Sequence, residues 1–189
     1  MDADFSIELG HDDPVLDFPW KDPDGKLAYF DLKRHPELIT KIEEAEKFPE
    51  LPEFLRALNS PRSVVESVKC DVWTTMEMSP EEDVYGASHK AGSYVDVVFC
   101  DTERRFSLTL HEDFVRRIKE LLSHAPEISS ACELCVRRCF FVRREKVSEG
   151  FYVTIYVNGY GNEPATARKN WAIACNLVGS AILQLSATG

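Results

Sequence analysis

An α+β fold is what this sequence predicts: a mainly antiparallel sheet of about five strands, helices packed on one face, and a long C-terminal helix. Three observations carry that expectation. Apolar and polar residues alternate with period two in several stretches, most clearly in GFYVTIYVN at 150–158. Two other stretches repeat their apolar residues at helical spacing. The links between extended stretches are short, which suits antiparallel pairing.

Residues 1–36 are broken by Asp13-Pro14, Phe18-Pro19, Asp22-Pro23-Asp24-Gly25 and His35-Pro36. Pro fixes φ and Gly allows positive φ, so Pro23-Asp24-Gly25 predicts a turn and a short hairpin. Phe5, Ile7, Leu9, Leu16, Phe18, Trp20, Tyr29 and Phe30 recur between the turns, which predicts an arm packed on the body. Leu38, Ile39, Ile42 and Ala45 have helical spacing until Pro49 and Pro52 interrupt them, and a second short helix is expected from Pro52 to Leu58. Residues 1–60 thus read as an arm and helix packed on an α+β body at 61–189.

In the body, 68–78 is rich in β-formers and predicts the first strand. A polar loop holds Pro80, Gly86 and Gly92, and a second strand is expected over 93–100. RFSLTL at 105–110 reads as a third strand. Phe114, Ile118, Leu121 and Leu122 line one side of a helix over 112–123, with Thr109 and Glu112 spaced like a capping box. A helical turn at 129–134 leads to a fourth strand at 136–144, and 150–158 is the fifth. Asn162 and Pro164 mark the start of the last helix, whose stripe is Trp171, Cys175, Val178, Ile182 and Leu185.

With 44% apolar and 29% charged residues, the chain can fold around a core of its own. The opening residues, MDADFSIELGHDD, lack the basic start and apolar run of a secretion signal, and no stretch has the length of a membrane span. A cytoplasmic location without membrane association is therefore expected, with its six cysteines as free thiols. The net charge of -10 speaks against nucleic acid, which calls for clustered Lys and Arg. The charge is uneven: 15 acidic and 7 basic residues over 1–60, but 4 acidic and 7 basic over 131–189. That asymmetry predicts an acidic arm lying over a more basic end of the body.

Function hinges on the second face of the sheet. One face reads as core: Val95, Val97, Phe99, Phe106, Leu108, Leu110, Phe151, Val153, Ile155 and Val157. The other carries Trp73, Thr75 and Glu77; Tyr94, Asp96 and Val98; Ser107, Thr109 and His111; Tyr152, Thr154 and Tyr156. Rings with hydroxyls and carboxylates suit a half-covered surface, and ligand clefts have that make-up. The candidate binding residues are Trp73, Thr75, Tyr94, Asp96, Thr109, Tyr152, Thr154 and Tyr156. Three uses compete for this face: a floor for the arm, a cleft for a small molecule or partner protein, and a homodimer interface. A non-enzymatic binding or interaction module is the leading reading. The alternative is an enzyme, such as a metal-assisted hydrolase, built on Glu77, Asp96 and His111, since carboxylates and an imidazole can move protons or hold a divalent metal.

No cofactor is expected. Cys132, Cys135 and Cys139 (CELCVRRC) have the one spacing that suggests zinc, but paired knuckles are missing and Cys139 lies in a strand pattern. Gly10-His11-Asp12-Asp13 lacks calcium-loop spacing and reads as turn chemistry. Arg137, Arg138, Arg143 and Arg144 bracket one strand, as edge charges, as partners for the acidic arm or, third, as an anion site.

Overall fold

The structure, a computed structural model, describes residues 1–143 and 146–187. Six strands form one sheet: β1 (Asp2–Glu8), β2 (Leu16–Phe18), β3 (Val65–Thr75), β4 (His89–Phe99), β5 (Ser130–Arg143) and β6 (Lys146–Gly161). Their order is β1-β5-β6-β4-β3, with β2 also on β5. β3, β4, β6 and β5 pair antiparallel. β1 and β2 lie end to end along the outer edge of β5, both parallel to it. The class is therefore α+β with a mostly antiparallel sheet and a long C-terminal helix.

The described residues also form four α-helices, α1 (Glu43–Lys47), α2 (Leu51–Leu58), α3 (Leu108–Leu122) and α4 (Pro164–Ala187), and three short 3-10 helices. α2, α3 and α4 bury their apolar faces on one side of the sheet. Val95, Val97, Phe99, Leu134, Val136, Val153, Ile155 and Val157 meet Phe54, Leu55, Val115, Ile118, Trp171, Val178 and Ile182 there. α4 lies so close to β6 that a Cβ on Gly159 would stand 2.0 Å from the backbone nitrogen of Trp171. The indole of Trp171 donates to the Ser93 hydroxyl at 2.8 Å, which satisfies two polar groups in an otherwise apolar layer.

Several local expectations give way. The arm packs on the body as expected, but Asp2–Glu8 does so as a strand of the sheet: Ala3 and Phe5 pack on the core, with the period of two. RFSLTL is not a strand, because α3 begins at Leu108 and the Ser107 hydroxyl caps it by accepting from the Leu110 N–H at 3.3 Å. The stretch expected as a helical turn at 129–134 is already β5. The turn at Pro23-Asp24-Gly25 is present: Gly25 has φ of 69°, and Lys21 bridges Ala28.

Candidate functional site

The sheet face away from the helices is covered at two ends and open between them. At one end the arm adds Leu16, Phe18, Trp20 and Tyr29 to Val68, Val98, Cys139, Phe141 and Tyr152, forming a second apolar cluster. At the other end a 3-10 turn, Pro80–Tyr85, folds back. Tyr85 stacks on Tyr160 with ring centres 4.0 Å apart, and Lys90 holds Glu82 at 2.9 Å. Between these covers lies a cleft of about 290 Å³. Its roof is Pro14, Val15, Leu16 and Trp20, and its floor and walls are Lys69, Tyr94, Asp96, Arg137, Tyr152, Thr154 and Tyr156.

Strand register assembles the floor. Lys69, Asp96, Thr154 and Cys135 stand in one row across β3, β4, β6 and β5. Asp71, Tyr94, Tyr156 and Glu133 form the adjacent row. Asp96 is only 6% exposed, and its Oδ1 accepts from the Thr154 hydroxyl at 2.7 Å. Burial pushes its carboxyl up to about 6, although the Thr154 hydrogen bond and the charges of Lys69 and Arg137 pull the other way. Arg137 donates from Nε to Glu8 at 2.7 Å and from one Nη to Thr154 at 3.0 Å and to Tyr156 at 3.2 Å. Burial works against the Glu8 charge, but the hydrogen bond and charge of Arg137 outweigh it and hold its carboxyl below the usual value. The acidic arm and the basic end of the body thus meet through Glu8 and Arg137.

Lys69 sits differently. Its ammonium lies 5.1 Å from the ring centre of Trp20 and 5.3 Å from that of Tyr94. Trp20, Lys69 and Tyr94 also line a second cleft, of about 520 Å³, between the arm and the β3 edge. The three side chains form the wall between the two spaces. Rings continue along the floor: Trp73 to Tyr94 at 6.5 Å and Tyr94 to Tyr156 at 6.1 Å.

Five of the eight binding candidates therefore line one cleft: Tyr94, Asp96, Tyr152, Thr154 and Tyr156. Trp73 stands beside it. Thr75 lies further along β3, opposite Lys90. Thr109 is on the exposed side of α3, across the molecule.

The proposed acid–base set is not assembled. Glu77 is past the end of β3 and exposed. His111 is buried on α3, on the helix side, with its ring 4.6 Å from Phe99 and 5.6 Å from Phe151. Asp96 alone faces the cleft. Reading 105–110 as a strand is what put His111 on the wrong side.

The cysteine pattern fares likewise. Cys132 faces the helices, whereas Cys135 and Cys139 face the other way. Four strand residues span roughly 13 Å, so Cys135 and Cys139 are too far apart to share a zinc. Burial raises all three thiols, Cys135 and Cys139 to about 12, so they are protonated at neutral pH. Cys135 instead lies near Glu8 and Glu133, with ligand atoms within 4.8 Å of one another. Glu8 is already engaged by Arg137 and by the Ser6 hydroxyl.

Family models, curated proteins and solved structures yield no match to this chain. The cleft alone carries the functional argument. Sequence reasoning did not place six of its members there: Pro14, Val15, Leu16, Trp20, Lys69 and Arg137. Lys69 was readable, since it has the same strand parity as Trp73. Arg137 reads from the sequence as an edge charge or a partner for the acidic arm, and its contact with Glu8 matches the second; Trp20 reads as arm packing. Gly10 and Asp13 do form a turn, with the Gly10 N–H donating to the Asp13 carboxylate at 2.6 Å. Arg138 donates to the Gly10 carbonyl at 2.6 Å. Arg143 is exposed, and Arg144 lies outside the described residues. No described helix is long and apolar enough to cross a membrane.

Proposed function

We propose that this chain is a binding module whose ligand enters the cleft between the arm and the sheet. The observation that carries this reading is one of composition at a fixed place. A cleft of about 290 Å³ has aromatic walls on Trp20, Tyr94, Tyr152 and Tyr156 and three ionisable groups, Lys69, Asp96 and Arg137. Apolar walls with a few convergent polar groups are what small-molecule sites offer. A sheet face used only as packing would be filled with aliphatic side chains, as the helix side is. The volume holds about ten waters at ~30 Å³ each, so a small molecule or a single side chain fits and a folded domain does not.

The enzyme alternative finds less support, because Glu77 and His111 are remote from Asp96. The test is a fragment screen by two-dimensional NMR on the full chain. Hits are expected to shift the Trp20 indole N–H and the backbone signals of residues 69, 94, 137, 154 and 156. Hits that map elsewhere, or a library with no hits, would overturn the reading.

A further inference from the structure

We infer that the ligand is a small planar carboxylate, its anionic end taken by Lys69 beside Arg137 and its ring laid against Trp20, Tyr94 and Tyr156. This deepens the binding reading above and rests on it.

The argument starts from what the rings already hold. An aromatic-lined pocket invites a cation, because ring faces carry negative potential. Here the protein fills those faces itself. Lys69 occupies the faces of Trp20 and Tyr94, and the Arg137 guanidinium lies 5.6 Å from the Tyr156 ring centre. A cationic ligand would have to displace both and would then meet two like charges.

The two cations also differ in what they lack. Arg137 is paired with Glu8 at 2.7 Å. The Lys69 ammonium makes no hydrogen bond and no ion pair with any described residue. Its contacts are the two rings and the electrostatic pull of Asp96. An ammonium carries three donors and no acceptor, so three donor positions at the cleft wall have no protein acceptor. The carboxylate that lines this cleft is Asp96, and it is turned toward Thr154; Asp22, Glu43, Glu44 and Asp71 line the neighbouring cleft on the other side of the Lys69 wall. The site thus presents two cations against one lining carboxylate, with the Lys69 donors unclaimed, which suits an incoming carboxylate.

Size then sets the body of the ligand. Space for about ten waters matches a molecule of about thirteen non-hydrogen atoms, with offset rings as neighbours.

Indole-3-acetate, indole-3-acetamide and tryptamine form a matched set, with the same ring and a negative, neutral or positive tail. Each is titrated to about 10 mM into the full chain, with the NMR signals of Trp20 and residues 69, 94 and 156 as readout. Affinity per atom at this size puts binding in the micromolar to millimolar range. The acetate is expected to bind at least tenfold more tightly than the amide, with tryptamine weakest. Lys69→Met is expected to erase that tenfold preference, and Asp96→Asn to strengthen binding of the acetate. The unchanged spectrum away from the cleft shows that each variant is folded. If the amide or tryptamine binds as tightly as the acetate at the cleft, the carboxylate inference fails while the binding module stands. If none of the set shifts the cleft signals, the inference fails too, and the fragment screen decides the module separately.

Discussion

The two faces of one sheet follow opposite rules. On the helix side, the inward residues of β4, β5 and β6 are almost all aliphatic, and α4 lies against β6 at backbone contact. On the far side, the same strands present Tyr94, Asp96, Arg137, Thr154 and Tyr156, and the cover touches only the two ends. The difference teaches how alternation divides labour. One parity of residues holds the chain together by burial at roughly 25 cal/mol per Å². The other parity is released from that duty and can carry charge.

The sharpest way to break the comparison is to make one substitution on both faces. Gly159→Ala would put a Cβ 2.0 Å from the Trp171 nitrogen and 2.5 Å from the Ala167 carbonyl. Backbone atoms of a packed helix cannot yield, so a loss of about 3 kcal/mol or more is expected, read as failure to fold or a steep drop in the urea midpoint. A mild effect would mean that α4 is not seated as described.

Next in size is the pair of buried titratable groups, one on each face, whose pH dependence runs in opposite directions. Asp96 is raised from 3.8 to about 6. Between those values the folded chain binds more protons than the unfolded one, so its contribution falls as pH rises through that window. Asp96→Asn is expected to stabilise by about 2–3 kcal/mol at pH 8 and to be near neutral at pH 4, since the amide oxygen still accepts from Thr154. His111 is lowered from 6.5 by burial, against its backbone hydrogen bonds. The unfolded chain takes a proton that the fold refuses, so stability declines as pH drops below 6.5. His111→Phe is expected to flatten that acid limb. Urea unfolding at several pH values separates the two, and parallel slopes would refute the assignment.

Gly92→Ala is the far-face counterpart of the first substitution, with the smallest effect. Its Cβ would meet the Asn158 side-chain oxygen at 2.6 Å and the Trp73 ring at 2.7 Å. Both are side chains that can swing outward, so about 1 kcal/mol is expected, with a change in Trp73 fluorescence. A cost equal to that of Gly159→Ala would erase the contrast between the faces.

Much of this division was legible. β6 and β4 alternate cleanly, and their parity alone placed Tyr94, Asp96, Tyr152, Thr154 and Tyr156 together. Residues 105–110 misled because a short alternating run can be a strand or the first turn of a helix. Ser107 supplied the cap signal that decides for a helix, but Thr109 offered a rival cap. β1 was hidden by its acidic residues, although Ala3, Phe5 and Ile7 kept the strand period. Arg137 could not be assigned from the sequence: its role depends on β5 pairing with both β6 and β1, and pairing across more than a hundred residues leaves no local trace.

β1 and β2 dock on β5, so residues 2–8 and 16–18 pair with 131–137 and 139–141. On the ribosome the roof of the cleft is made first and must wait for its edge. At 5–20 residues per second, that delay is on the order of 6–25 seconds. During it Leu16, Phe18 and Trp20 have no strand to join, and any binding competence arrives only when β5 and β6 have been synthesised. Ligand present at that moment would meet the cleft as it closes.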